Sequence, residues 1–275
     1  MQSEAGMTPG HLPRTVIVVP CFNEAARLSP DRVDELAELC GSVLLVDDGS
    51  TDATASMLAA ISAAAPATTS VERLAVNEGK AAAVRHGLNV ALESGATIVG
   101  YCDADFATPP EEVARLVDVL EGNPSVDVVI GSRVALLGTD VRRGPARHYL
   151  GRVFATLASA ALGMAVYDTQ CGAKVFRDTQ ALRRALRKPF RSGWAFDVEL
   201  LARLHRGDAA GTGLDIDRFV EVPLRRWHDV NGSKLTPGAA AKAVVDVVRI
   251  ARQRGLVNGR RPPRSRAAIP HRRSR

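Results

Sequence analysis

Four short runs of β-branched and apolar residues constrain this chain more than anything else in it. They are residues 15–19 (TVIVV, before Pro20), 42–46 (SVLLV, before Asp47), 97–102 (TIVGYC, before Asp103) and 126–130 (VDVVI). None alternates apolar with polar residues as a strand with one wet face would. Such runs suit strands covered on both sides. A weaker run, residues 71–76, reads as a further short strand.

The segments between them have helical spacing. Residues 30–39 place Val33, Leu36 and Leu39 on one stripe. Residues 51–65 are rich in Ala, with Ser50 or Asp52 placed to cap them. Residues 79–94 read as a helix, and so do residues 110–122, with Pro110 in the first turn and Glu111 and Glu112 near the positive end. Strand and helix alternate, which predicts an α/β fold with a doubly wound, Rossmann-like, mainly parallel sheet and helices on both sides. Residues beyond 140 are less regular. There, 149–166, 194–204 and 239–252 read as helices, and 171–176 and 219–223 as strands. The expected domain spans 14–250, with a flexible 1–13 before it and a basic, disordered 256–275 after it.

Open α/β sheets bind ligands beyond the carboxyl ends of their strands. Here those ends carry residues 20–24, 47–52, 77–80 and 103–105, which are polar, acidic or glycine-containing. Asp103, Ala104 and Asp105 set two carboxylates at one strand end. Hard oxygen ligands of this kind suit Mg²⁺ or Mn²⁺ bridging to substrate phosphates, although two acids in a turn also occur as plain solvated loop. Asp48 would accept hydrogen bonds from a base or ribose, or simply belong to a turn. Gly79 and Lys80 would let backbone and a cation approach a phosphate. The GxxxxGK[ST] frame of a P-loop is missing, and no GxGxxG follows the first strand, so nucleoside-triphosphate and nicotinamide sites are disfavoured.

Charge narrows the partners. Residues 259–275 hold seven arginines and no acid, more than the formal net charge of +6, so the rest of the chain is slightly acidic. That removes the case for nucleic acid and leaves a tail that either solubilises the chain or is drawn to an anionic membrane surface. Residues 1–14 are too poor in apolar residues to suggest a cleavable leader, and no run of about 18 apolar residues suggests a spanning helix. Cys21, Cys40, Cys102 and Cys171 have no CxxC spacing and read as reduced, buried thiols.

Taken together, VIVVPCFNE (16–24), VDDGSTD (46–52), NEGK (77–80), Asp103 with Asp105, and GSR (131–133) resemble the successive motifs of family 2 glycosyltransferases of the GT-A fold. DTQCGAKVF (168–176), WAFDVELL (194–201) and WHDVNGSKL (227–235) extend the resemblance to the dolichyl-phosphate or polyprenyl-phosphate β-glucosyltransferase branch. The resemblance implies an inverting transfer of a hexose from a UDP-sugar to a polyprenyl phosphate. Pro20, Asn23, Glu24 and Asp48 would line the base and ribose pocket, and Asp103 and Asp105 would hold ribose and metal. Lys80, Arg133 and Lys234 would face phosphates, and Arg147 would contact the diphosphate or the acceptor phosphate. Asp105, Arg147, Asp168 and Gln170 are the candidate catalytic residues, with Asp168 and Gln170 on the acceptor side. Ala173 stands where that branch has a bulky aromatic, which implies a looser acceptor side.

Plainer readings stand beside these. Asp168 would cap a turn and pair with a nearby arginine. Asp197 and Glu199, in an otherwise apolar helix, need partners, with Arg142, Arg143 or Arg191 as candidates. The histidines lack metal-ligand spacing, and Trp194 and Trp227 read as packing residues. The segment 149–166 would either lie at a membrane interface beside Arg142, Arg143, Arg147 and Arg152 or pack in the core. The expected location is cytoplasmic, peripheral on the inner face of the cell membrane. Competing functions are a GDP-mannose-using polyprenyl-phosphate mannosyltransferase, a soluble transferase with a hydroxyl acceptor and Asp168 or Asp197 as base, and an inactive nucleotide-binding module.

Overall fold

A computed structural model describes residues 15–142, 145–207, 213–230 and 245–252, with backbone only for 142, 145–150 and 152. The tail 256–275, residues 1–13 and Lys234 therefore lie outside the described residues, as does the side chain of Arg147.

The elements are β1 (Thr15–Cys21), α1 (Pro30–Cys40), β2 (Ser42–Asp47), α2 (Thr54–Ala64), β3 (Thr69–Arg73), α3 (Lys80–Glu93), β4 (Ile98–Cys102), α4 (Pro110–Glu121) and β5 (Val128–Ser132). Beyond these come β6 (Asp140–Arg142), α5 (Pro145–Leu162), β7 (Ala173–Arg177), α6 (Gln180–Arg187), α7 (Phe196–Arg206), β8 (Phe219–Pro223) and β9 (Arg226–His228). Residues 245–252 are helical as well. Seven strands form one sheet in the order β3-β2-β1-β4-β7-β5-β8. All neighbours in it are parallel except β7, which runs against both β4 and β5. A small parallel pair, β6 with β9, stands apart.

The apolar runs explain the core directly. Val16 and Val18 face one layer, and Ile17 and Val19 the other, all of them buried. The layer behind Ile17 takes Val33 and Leu36 of α1, Leu58 of α2 and Leu116 of α4. The opposite layer takes Val84 and Leu88 of α3, Leu182 of α6 and Leu200 of α7. α5 joins that second layer through Ala158, Ala161 and Leu162.

Local details depart from the sequence reading. The buried face of α1 is Val33, Leu36, Ala37 and Cys40, and Leu39 is exposed. β3 covers residues 69–73, not 71–76: the Leu74 N–H donates to the Asp47 carbonyl as the chain leaves the sheet edge, and Val76 lies in solvent. Neither Ser50 nor Asp52 is the N-cap of α2. Asp52 Oδ1 accepts from the N–H of Thr54, while Ser50 Oγ accepts from the N–H of Asn23. The four cysteines are free and buried, and burial pushes their thiols up, Cys40 to about 12 and Cys171 to about 11.

Gly100, in the middle of β4, is set by space. A Cβ there would lie 2.6 Å from Val175 Cγ1 and 2.8 Å from the Lys174 carbonyl oxygen. Gly100→Ala is therefore expected to lower stability by about 1–3 kcal/mol through overpacking, seen as a drop in the urea unfolding midpoint.

Candidate active site

The carboxyl ends of β1, β2, β4 and β5 open into a single cleft of about 690 Å³. Because β7 is antiparallel, it is its amino end that reaches this edge. Cys102 sits opposite Ala173, so residues 168–172 arrive beside Asp103 and Asp105.

Pro20, Glu24, Asp48, Lys80, Asp103, Ala104, Asp105, Arg133, Asp168 and Gln170 all line the cleft. Asn23, among the described residues, does not: its Oδ1 accepts from the Thr51 N–H at 2.9 Å, and its φ of 52° is left-handed. Glu24 holds a two-pronged pair with Arg27 at 2.6 and 2.8 Å. Arg27 lines the cleft without having stood out in the sequence.

Asp48 organises the next loop. Its two oxygens accept from the N–H groups of Glu78 and Gly79, each at 2.8 Å. Its pKa is raised, because burial outweighs those two donors. Gly79 takes φ 91°, a conformation that favours glycine, and among the described residues no atom beyond its own stretch of chain lies within 4 Å of where its Cβ would be. The first turn of α3 thus begins open to the cleft, an arrangement that attracts anions. Lys80, its first residue, reaches Asp103 Oδ1 at 2.5 Å. Burial works against this ammonium, but Asp103, Asp197 and Asp105 prevail and raise its pKa.

Asp105 Oδ1 accepts the Ala107 N–H at 3.1 Å. Burial, then the neighbouring Asp103 charge, raises the Asp105 pKa. Among the described residues, none donates to Oδ2 of Asp103 or of Asp105. Gly172 leaves room for the former, since a Cβ there would lie 2.2 Å from Asp103 Oδ2. No group of three or more acids, His or Cys forms a metal cage among the described residues. Two open carboxylate oxygens nevertheless fit a hard cation that takes its other ligands from water and phosphate.

Arg133 grips Asp168 through Nε at 2.6 Å and Nη2 at 2.8 Å, and its guanidinium lies 5.4 Å from the Trp227 ring centre. Burial opposes the Arg133 charge, but Asp168 holds its pKa up. Asp168 also accepts the N–H of Gln170, while Glu221 of β8 takes the N–H groups of Tyr167 and Asp168 at 2.7 Å each. Asp168 is thus an anchored partner, as its plainer reading had it, and Arg133 is a paired cation.

The partners expected for the α7 acids are different ones. Asp197 pairs with Lys174 at 2.6 Å and accepts from the Tyr101 hydroxyl. Glu199 pairs with Arg203 at 2.6 Å and takes the N–H groups of Arg191 and Ser192. Ala173 is fully buried and does not itself line the cleft, although the neighbouring Gly172 does. Trp227 packs, while Trp194, 40% exposed, stands at the cleft edge on Phe154. His86, His205 and His228 bond Glu72, the Leu214 carbonyl and Asp140, and form no metal-like grouping among the described residues.

Lys174 is wholly buried, so removing its charge strands Asp197. Lys174→Met is expected to cost about 3–5 kcal/mol, measured by urea denaturation against the parent chain.

Residues 16–188 match the family described as Glycosyl transferase family 2. A dolichyl-phosphate beta-glucosyltransferase of Trichomonas vaginalis is 30% identical over 86% of this chain and 70% of its own length. A polyprenol monophosphomannose synthase of Mycolicibacterium smegmatis is 29% identical over 89% of this chain and 91% of its own. Among solved structures, glucosyl-3-phosphoglycerate synthase from Mycobacterium tuberculosis, in complex with Mn²⁺, UDP and phosphoglyceric acid, superposes with a TM-score of 0.61 at 19% identity, over 88% of this chain and 78% of that one. That likeness establishes the GT-A architecture. With the family match spanning more than half the chain and a relative at 30% identity covered over most of its length, this protein belongs to glycosyltransferase family 2.

Proposed function

We propose that the chain transfers glucose from UDP-glucose to a polyprenyl phosphate with inversion at the anomeric carbon. One observation carries the reading: a single cleft is lined both by a charged group of residues, taken as its floor, and by exposed apolar ones, taken as its mouth. The floor holds Lys80, Asp103, Asp105 and the start of α3. The mouth holds Val153, Leu157, Tyr167 and Trp194, with Val153 62% and Leu157 41% exposed. A nucleoside diphosphate suits the first and an isoprenoid chain the second. Relatives named for dolichyl-phosphate glucosyl transfer support the sugar and acceptor.

Acceptor phosphate oxygen would bond to the anomeric carbon as the bond to the diphosphate breaks. A phosphate monoester is largely ionised at neutral pH, its second pKa being about 6. It needs no strong base, which agrees with Asp168 being fully engaged by Arg133. Asp103 and Asp105 would hold Mg²⁺ or Mn²⁺, which supplies positive charge to the departing diphosphate. Lys80 and the α3 amides would bind and orient that diphosphate. Pro20, Glu24 and Asp48 would form the base and ribose wall. Arg147 and Lys234 would complete the phosphate contacts.

Mannose from GDP-mannose is the second reading, favoured by the near full-length match to the polyprenol monophosphomannose synthase. Purified protein given UDP-glucose or GDP-mannose with Mn²⁺, against polyprenyl phosphate or free sugars, separates the two and also tests a hydroxyl acceptor. Asp105→Ala is expected to cut nucleotide release by at least about 10²-fold with the fold intact. Normal turnover in that variant would sink the metal assignment.

No helix of the described residues is long and apolar enough to cross a membrane. The exposed Val153 and Leu157 stripe of α5 would instead lie against the inner face of the cell membrane. Val153→Asp with Leu157→Asp is expected to weaken co-sedimentation with anionic vesicles at low salt and to slow transfer to long-chain acceptors more than to short-chain ones. Parent protein left entirely in the supernatant would refute membrane association.

A further inference from the structure

A buried polar cluster lies behind the cleft floor, and the phosphate chemistry above does not use it. Tyr101 on β4 and Lys174 on β7 are cross-strand partners, and both side chains are fully buried. Both donate to Oδ1 of Asp197, near the start of α7, and Lys174 also donates to the Cys171 carbonyl at 2.7 Å. Asp197 is 5% exposed and lines the cleft, so what it exposes faces the cleft. Among the described residues none donates to its Oδ2. Burying a lysine to hold an acid in a cleft wall is hard to explain as stabilisation, because packed apolar residues do as well or better.

The position suggests the ligand. The neighbouring Phe196 ring lies 5.9 Å from Lys80 Nζ, and Lys80 pairs with Asp103. Asp197 therefore flanks the end of the cleft meant for diphosphate. An ionised carboxylate has only acceptors to offer. It repels phosphate and matches a neutral group rich in hydroxyl donors, which is what a hexose attached to a diphosphate presents. We propose that Asp197 recognises the donor sugar through Oδ2, with Lys174 and Tyr101 as positioning residues that hold its carboxylate from behind. This rests on the nucleotide-sugar reading of the cleft.

The test is calorimetric titration of the full chain with UDP and UDP-glucose, and with GDP and GDP-mannose, in the presence of Mn²⁺. Two variants are compared with the parent. Asp197→Asn removes the charge. The triple variant Tyr101→Phe, Lys174→Met, Asp197→Leu removes the whole cluster without stranding a buried charge. In each, the affinity for the sugar nucleotide relative to its bare diphosphate is expected to fall about tenfold, while diphosphate affinity stays within about twofold. A parent-like ratio in a folded variant, or equal loss of both ligands, overturns the proposal. Deoxygenated UDP-glucoses supply an arm that needs no variant. At least one is expected to bind the parent about tenfold more weakly than UDP-glucose, and equal binding by all of them overturns the proposal. A parent that binds neither diphosphate nor sugar nucleotide fails the nucleotide-sugar reading itself, and the role of Asp197 falls with it.

Discussion

The reversed direction of β7 decides what the active edge contains. A parallel strand between β4 and β5 would present its carboxyl end there. The antiparallel one presents its amino end, so residues 168–172 face Asp103 and Asp105. Contact is close enough to dictate residue type. Gly172 packs where any Cβ would press on Asp103 Oδ2. The same register sets Lys174 beside Tyr101, which brings the buried cluster up behind the cleft. Strand direction thus links the carboxylate pair, the Arg133–Asp168 anchor and the Asp197 cluster into one assembly.

Within that assembly most charges are already spoken for. Glu24 has Arg27, Asp48 has two backbone donors, Asp168 has Arg133, Asp197 has Lys174, and Glu199 has Arg203. Charged groups fixed before a ligand arrives need little rearrangement when charge shifts, which is the basis of electrostatic preorganisation. Three carboxylate oxygens without a described donor, Oδ2 of Asp103, Asp105 and Asp197, belong to residues that line the same cleft. Pairing elsewhere gives these three atoms their significance.

Run length and periodicity are enough to place β1, β2, β4 and β8 and the helices α1, α3 and α4, because each has a strong apolar signature and a clear stop. They also place most of the acids at one sheet edge, since the edge follows from the alternation alone. Three things are illegible. The direction of β7 is one, because a buried strand of AKVFR reads the same either way. Partner identity is another: Asp197 meets Lys174, 23 residues upstream, through a crossing of sheet and helix that no local pattern encodes. The third is the facing of single side chains, such as Leu39 turned outward and Ala173 turned into the layer under α1 and α4. α5 shows the same limit, with one stripe buried at Ala158 and Ala161, as the core-packing reading has it, and another exposed at Val153 and Leu157.

The charge pattern also bears on the acceptor. A hydroxyl nucleophile needs a carboxylate free to take its proton. Asp168 is held by a two-pronged arginine and two further N–H donors, Arg133's own and Gln170's. Asp197 has one oxygen committed to a fully buried lysine. An acceptor that arrives already ionised asks nothing of either. It asks instead for cations beside the leaving group and a way to keep two anions, donor and acceptor, in one cleft. Lys80, Arg27 and Arg133 line that space, each beside an acid, Asp103, Glu24 and Asp168, and the apolar mouth offers an isoprenoid chain a path that water does not favour. The phosphate acceptor proposed above fits this arrangement without calling on a carboxylate base, and leaves Oδ2 of Asp197 for the donor sugar.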